Sequence, residues 1–549
     1  MPALRCSLLL ASCWLLLSAV HAAEPVAGTA TAGNLPDDAA LEAAGARIGE
    51  LVFSSYQIFD TSDPAENRAL FRLANRLHVR TREPTLRAML LFRSGDPYSR
   101  RLLEESERKL RELQFLREPR IRPLRYHDGL VDIEVESHDV WTLQIGPGFG
   151  RRGGTNHSSL SFEDSNLLGY GKTLILETRQ DVDRDSNSFE WRDPGVFGSR
   201  WQDDFYYADT SDGHMRAAAI WRPFYALNAH RSYGLSWQDD ALTDSRYRLG
   251  EPYDDYRRTH RGFDVYVGWS QGLRAGYTRR MTLGWRVLDD RFSVSATGST
   301  IAPLPADRRL RFPYLQLQLI SDRFSTARNL ELIDRTEDLH FGLNAQALLG
   351  WASTNLGADR DAAIVRASAS YGRALRAGQQ LLVDAALDTR VEHGALRNLR
   401  TSLTAAWYLR TSPRTLLHVK LAAAAGSALD LDRYDELGGD NGLRGYPLRY
   451  QLGRSLQLFK VEERLYTGWT LWRLLDVGAA AFVDAGRVSG GNPLGAPRLG
   501  WLKDAGMGLR LGNRRSSLGN MFHIDLATPL DGAPGLDRVQ LLVSTEASF

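Results

Sequence analysis

The stretch Gly438-Gly439-Asp440-Asn441-Gly442-Leu443-Arg444-Gly445-Tyr446-Pro447-Leu448 sets a single arginine among four glycines. Glycines let a backbone turn sharply and pass close to other atoms, which a solvated loop tip does not require. A loop that folds into a strand-lined cavity takes the Arg444 guanidinium out of bulk water, where it needs a fixed carboxylate. Asp484, in the small-residue run Phe482-Val483-Asp484-Ala485-Gly486, can supply one. The chemistry on offer is electrostatic anchoring rather than bond making. The competing reading is a flexible surface turn followed by an unrelated strand.

Patterns for covalent or metal chemistry do not complete. No G-x-S-x-G elbow occurs. Gly146-x-Gly148-x-Gly150 imitates a phosphate loop, but Arg151 stands where the last glycine is needed and no helix is signalled. Asp181, Asp183 and Asp185 have the odd-position spacing of a calcium loop, yet Ser186 replaces its glycine and Arg192 its closing glutamate, so a solvated turn is expected there. The histidines are scattered. The expectation is no catalytic residue, no metal and no cofactor.

The elements that would position Arg444 come from composition and periodicity. The chain has 549 residues, a net charge of +2 and two cysteines, and a negative mean hydropathy. That balance gives no argument for nucleic acid. Its one long apolar stretch, Ser7 to Val20, follows Arg5 and ends in Val20-His21-Ala22, a secretory signal pattern over 1–22. Cys6 and Cys13 fall inside it, so no disulfide is expected after cleavage. Residues 23–47 are small and polar and read as a linker.

Residues 48–139 read as a β-α-α-β-β module. A strand from Ile48 is followed by a helix opened by Asp63-Pro64 with Leu70, Phe71, Ala74 and Leu77 on one face, then by a helix from Asp96-Pro97. A hairpin turns at His127-Asp128-Gly129.

From 140 to 549, period-two segments alternate with turns, about twenty by direct count, and the whole chain's thirteen tryptophans and twenty tyrosines suit a barrel with interfacial girdles. The expected fold is an all-β transmembrane barrel with an N-terminal α+β domain. In the strand after the glycine-rich loop, alternation puts Lys460, Glu462 and Arg464 on the lumen face, making Glu462 a second partner for Arg444. Glu463 then falls on the lipid side and fits only near an interface. The first strand, Thr142 to Gly150, contains Gly146, Pro147 and Gly148, and the last ends at Phe549. A proline cannot donate to a ladder and glycines weaken strand order, so this seam is expected to be the easiest to open.

Leu443-Arg444-Gly445-Tyr446 resembles the [VL]-R-G-[FY] loop signature of the BamA/TamA-type outer-membrane assembly and translocation barrels, and Phe482-Val483-Asp484-Ala485-Gly486 resembles that family's F-x-D-x-G strand. Gly169-Tyr170-Gly171, Val461-Glu462-Glu463-Arg464 and Phe549 are further matches. The resemblance implies sixteen strands, an arginine packed on the aspartate inside the lumen, and a module similar to one POTRA domain in the periplasm. It further implies insertion or translocation of unfolded outer-membrane or secreted client proteins, with outer-membrane lipids, periplasmic chaperones or accessory lipoproteins as further partners. A two-partner-type secretion transporter and a passive channel remain open alternatives.

Overall fold

A computed structural model describes residues 35–549 except 297–299, 492–494, 496, 518–520, 533–535 and 547–549. The signal segment, both cysteines and Phe549 lie outside the described residues.

Residues 38–139 build a small α+β domain: α1 (Asp38–Ala43), β1 (Arg47–Tyr56), α2 (Ala69–Leu77), α3 (Glu83–Met89), α4 (Arg100–Arg111), β2 (Leu116–His127) and β3 (Leu130–Asp139). β3 lies in the middle of the sheet, parallel to β1 and antiparallel to β2. Its alternating Val131, Ile133 and Val135 pack on Leu86, Leu103 and Leu110 from α3 and α4.

The linker expected over 23–47 is corrected in its described part, where α1 forms; residues 23–34 lie outside the described residues. Asp37 caps α1 by accepting from the Ala40 amide, Tyr98 donates to Asp38 at 2.5 Å, and Leu41 is fully buried. A six-residue helix held by one leucine carries no periodic signal. The helix expected from Asp63 begins at Ala69, because the Asp63 carbonyl and carboxylate close local turns onto Ala65, Glu66 and Asn67. Its inward face also differs. Phe71 stacks on Phe59 at 4.0 Å and Asn75 bonds the Phe59 backbone, which rotates Leu70 and Leu77 to 65% and 60% exposure.

Twenty antiparallel strands then close into a barrel. This equals the direct count of alternating segments and corrects the sixteen implied by resemblance. Among the described residues after 140, two short hairpins, Phe324–Arg328 with Thr336–His340 and Asp435–Leu437 with Gln451–Gly453, lie outside the wall. Six wall strands matter here: β4 (Leu143–Arg152), β5 (Ser455–Leu471), β6 (Leu475–Ser489), β7 (Leu502–Asn513), β8 (Met521–Pro529) and β9 (Gln540–Glu546). Lys460, Glu462 and Arg464 of β5 point inward and are buried, whereas Phe459 and Leu465 are exposed outward. The same alternation exposes Leu235, Leu283, Leu317, Leu403 and Leu526 as an apolar outer band.

β9 meets β4 in a single registered pair among the described residues, Val543 with Arg151. β8 and β9 register seven, and β4 and its hairpin partner ten. Ile145 and Phe149 of β4 are exposed outward, and Gly146, Gly148 and Gly150 alternate with them on the other face.

The domain docks on the turns at one end of the barrel. Asp139 accepts from the Thr81 amide and hydroxyl at 2.9 and 2.7 Å, and Thr81 accepts from Asn166 at 2.8 Å. Glu105 accepts from the Leu227 amide at 2.7 Å, Arg111 grips Asp338 with two bonds of 2.7 Å, and Arg515 pairs with Glu66 at 2.5 Å. Burial alone would raise the Glu118 carboxyl; the Thr336 hydroxyl and amide and Arg328 outweigh it and hold it below its ordinary value. Only Val140, Trp141 and Thr142 separate β3 from β4. Trp141 is clipped at the turn after β7, its amide donating to Arg515 at 2.7 Å and its carbonyl accepting from Ser517 at 2.9 Å.

Candidate functional site: a loop pinned inside the barrel

Residues 428–454 connect two wall strands at the end opposite the domain and fold inward. Their apolar side chains explain why: Leu437, Leu443, Tyr446 and Tyr450 are buried together with Leu458 and Leu502 of the wall. Tight turns hold the tip, with the Leu443 amide on the Gly438 carbonyl at 2.9 Å and the Gly439 amide on the Pro447 carbonyl at 2.8 Å. The Tyr446 hydroxyl lies 3.0 Å from both the Lys503 carbonyl and Asp531.

Arg444 is 1% exposed. Its Nε and Nη2 donate to the two oxygens of Asp484 at 2.7 and 2.9 Å, and Nη1 donates to Glu462 at 2.7 Å. The guanidinium carbon lies 3.3 Å from the Phe482 ring centroid, a cation-π contact strengthened by the burial of both groups. The structure thus brings Arg444, Asp484, Glu462 and Phe482 together. Gly486 lies one step away, under Leu437, where an added Cβ would stand 2.8 Å from that leucine. Gly146, Pro147 and Gly148 belong to β4 and not to this cluster. Glu463 points outward and accepts from Thr411 at 2.8 Å.

Two glycines make the approach possible. A Cβ at Gly506 would lie 2.4 Å from the Phe482 ring, and one at Gly445 would lie 2.7 Å from the Asp504 Cβ and 3.0 Å from the Pro529 nitrogen. Asp504 and Pro529 are paired with each other in the wall, so the loop backbone at Gly445 must shift instead. Gly445→Ala is therefore expected to weaken docking of the loop by about 1–3 kcal/mol, read as increased protease cleavage within 428–454 while the barrel keeps its folded mobility on a gel. Unchanged protection would count against the close fit.

Glu462 is a hub. It accepts from Arg444, from Arg464 at 2.8 Å and from Arg510 at 3.1 Å. Arg510 also reaches Asp525 at 2.5 Å. Three arginines are thus set against Glu462, Asp484 and Asp525, while Lys460 and Asp504 face Asp484 in register on either side. Arg464 further donates to the His418 ring at 3.0 Å and lies 3.4 Å from Glu331. Glu331 belongs to the 322–341 connection, which enters from the domain end and buries Leu330 and Ile333 against Tyr408, Leu416 and Tyr466. Connections from both ends of the barrel therefore meet on Glu462 and Arg464.

The loop has other fixed points. Asp430 and Asp432 bind Arg308 at 3.1 and 2.6 Å, and Asp430 binds Arg390 at 2.9 Å. Arg449 grips Asp183 with bonds of 2.7 and 2.6 Å, so the turn expected to be solvated carries a loop contact. The Leu448 amide donates to Gly153 at 3.3 Å, in the turn that ends β4. A cavity of about 780 Å³ remains between the loop and the opposite wall, lined by Arg258, His260, Arg308 and Asp432 among others. Asp525, Arg510 and Arg308 were not singled out from the sequence. The available signal was their inward parity on strands whose other face is apolar.

Fold and site together define a closed barrel whose lumen is occupied by a loop held through a buried arginine. No protein-family model and no curated protein matches the sequence. Among solved structures the chain is similar to BamA from Haemophilus ducreyi lacking POTRA domains 1–3, at 13% identity over 90% of this chain and 84% of that one, with a TM-score of 0.37. It is also similar to CdiB from Acinetobacter baumannii, at 11% identity over 91% and 73% with a TM-score of 0.43, and to CdiB from Escherichia coli, at 13% over 90% and 75% with a TM-score of 0.45.

Proposed function

We propose that this protein is an outer-membrane barrel that inserts or translocates unfolded client protein, with the N-terminal domain acting as a single POTRA-type docking module in the periplasm. The observation that carries the reading is the combination of a plugged lumen with one poorly paired seam. Arg444 and its carboxylates fix a loop across the interior, which disfavours a passive open pore. Among the described residues β4 and β9 share one registered pair; at about 1 kcal/mol for each hydrogen bond lost, this is the least costly place for the described wall to part sideways.

In this mechanism a client segment adds as a strand to an edge of the three-stranded sheet, where β1 and β2 are the outer strands. The seam opens, the client pairs with β4 or β9, and the Arg444 pin keeps the remaining wall in shape. Chaperones or accessory lipoproteins would deliver the client to the domain. Reconstituted into vesicles, the protein is expected to speed membrane integration of an unfolded barrel client and to carry no large steady conductance. The reverse pair of results would overturn the proposal in favour of a channel.

A further inference from the structure

Between the domain and the outer wall lies a cavity of about 640 Å³ lined by Arg87, Arg93, Arg200, Arg222 and Trp201, and by no Asp or Glu. Arg87 is matched by Glu83 at 2.6 Å. The other three make no ion pair among the described residues, and the charged neighbours of Arg200 are Arg93 and Arg222. The guanidiniums of Arg200 and Arg222 flank one ring, 4.7 and 5.4 Å from the centre of Tyr225. Arg200 is held in place by a 2.5 Å bond to the Leu90 carbonyl in the domain. Three converging cations without counter-charge repel one another, an arrangement an anion would relieve.

The position identifies the anion. Arg222 pairs in register with Tyr233, whose ring stacks on Trp201 at 6.3 Å. Tyr233 and Trp201 are both exposed on the outer face. Further along the same neighbouring strands that face continues as Phe205, Ile220 and Leu235, all exposed. The cations thus sit where the apolar band ends at the domain side, with an aromatic pair beside them, the level at which lipid headgroups meet a membrane barrel.

We propose that this cavity binds the phosphate headgroup of an anionic membrane phospholipid, whose acyl chains run along Phe205, Ile220 and Leu235. The lipid would fill the gap between domain and wall and tie the docked domain to the bilayer. The proposal rests on the membrane reading above.

The test uses the full chain in detergent micelles with phosphatidylglycerol, phosphatidylethanolamine or inorganic phosphate at matched concentrations, read by native mass spectrometry. Wild type is expected to retain phosphatidylglycerol in preference to phosphatidylethanolamine, and each arginine removed should lower that preference by roughly fivefold. Arg200→Gln with Arg222→Gln should abolish it. Arg93→Gln, on the exposed surface of the domain, should lower it without touching the barrel and so serves if the double variant does not fold. Undiminished preference in these variants overturns the site. Displacement of the lipid by an equal concentration of inorganic phosphate makes it a free-anion site and overturns the lipid assignment. A chain that fails to enter vesicles defeats the membrane reading, whereas one that enters them without lipid preference defeats this site alone.

Discussion

Arg444→Ala is expected to give a barrel that still assembles, with its loop released and its client activity lost. Removing the guanidinium strands Asp484 and Glu462, which are 0% and 5% exposed, opposite no matching charge from the loop. Breaking a buried pair by deleting one partner costs about 3–5 kcal/mol, enough to undock a loop without unfolding a wall of twenty paired strands. Arg464 and Arg510 still hold Glu462, so the wall carboxylates stay in place and the loss falls on the loop. Arg444→Lys should rescue only part of the effect, because an ammonium cannot span Asp484 and Glu462 as the planar fork does. The readout is protease cleavage within 428–454 beside client insertion in vesicles. Wild-type activity with a cleaved loop would sink the role of the pin, and an uncleaved loop in the alanine variant would sink its energetic weight.

The second large effect concerns the seam. Arg151 and Val543 are its one registered pair among the described residues, and directly opposed residues in an antiparallel ladder have Cα atoms about 4.5–5.5 Å apart, within disulfide range. The chain has no cysteine beyond Cys13, so Arg151→Cys with Val543→Cys introduces the pair into a clean background. Oxidised, this variant is expected to lose client insertion entirely and to regain it on reduction, while ion conductance stays unchanged in both states. Insertion at the wild-type rate with the bridge formed would show that clients do not leave through this side of the wall.

The residues that carry the pin were readable because burying an arginine imposes several requirements at once. Glycines around Arg444, small residues around Asp484 and inward parity at Glu462 are independent marks of one arrangement. Asp525 and Arg510 were not readable in the same way, since an isolated charge on an alternating strand is indistinguishable from a solvated face until the lumen is known to be filled. Periodicity put about twenty alternating segments on the page, and the sixteen strands implied by the family resemblance fell four short of the wall observed. Short elements were missed for want of period: α1 shows one buried leucine, and α3 is seven residues opened by Pro84. The inward face of α2 was misassigned because hydrophobicity cannot foresee that Asn75 would be drawn in by the Phe59 backbone.

The three residues from Val140 to Thr142 leave almost no slack, about 10 Å even when fully extended. Under the proposed reading, tension on a client captured by the sheet is delivered directly to the base of β4. Trp141, fastened to Arg515 and Ser517, acts as a stop on that leash. A gentle tug strains the clip and spares the seam, and only a load that frees the tryptophan peels the first strand from the last.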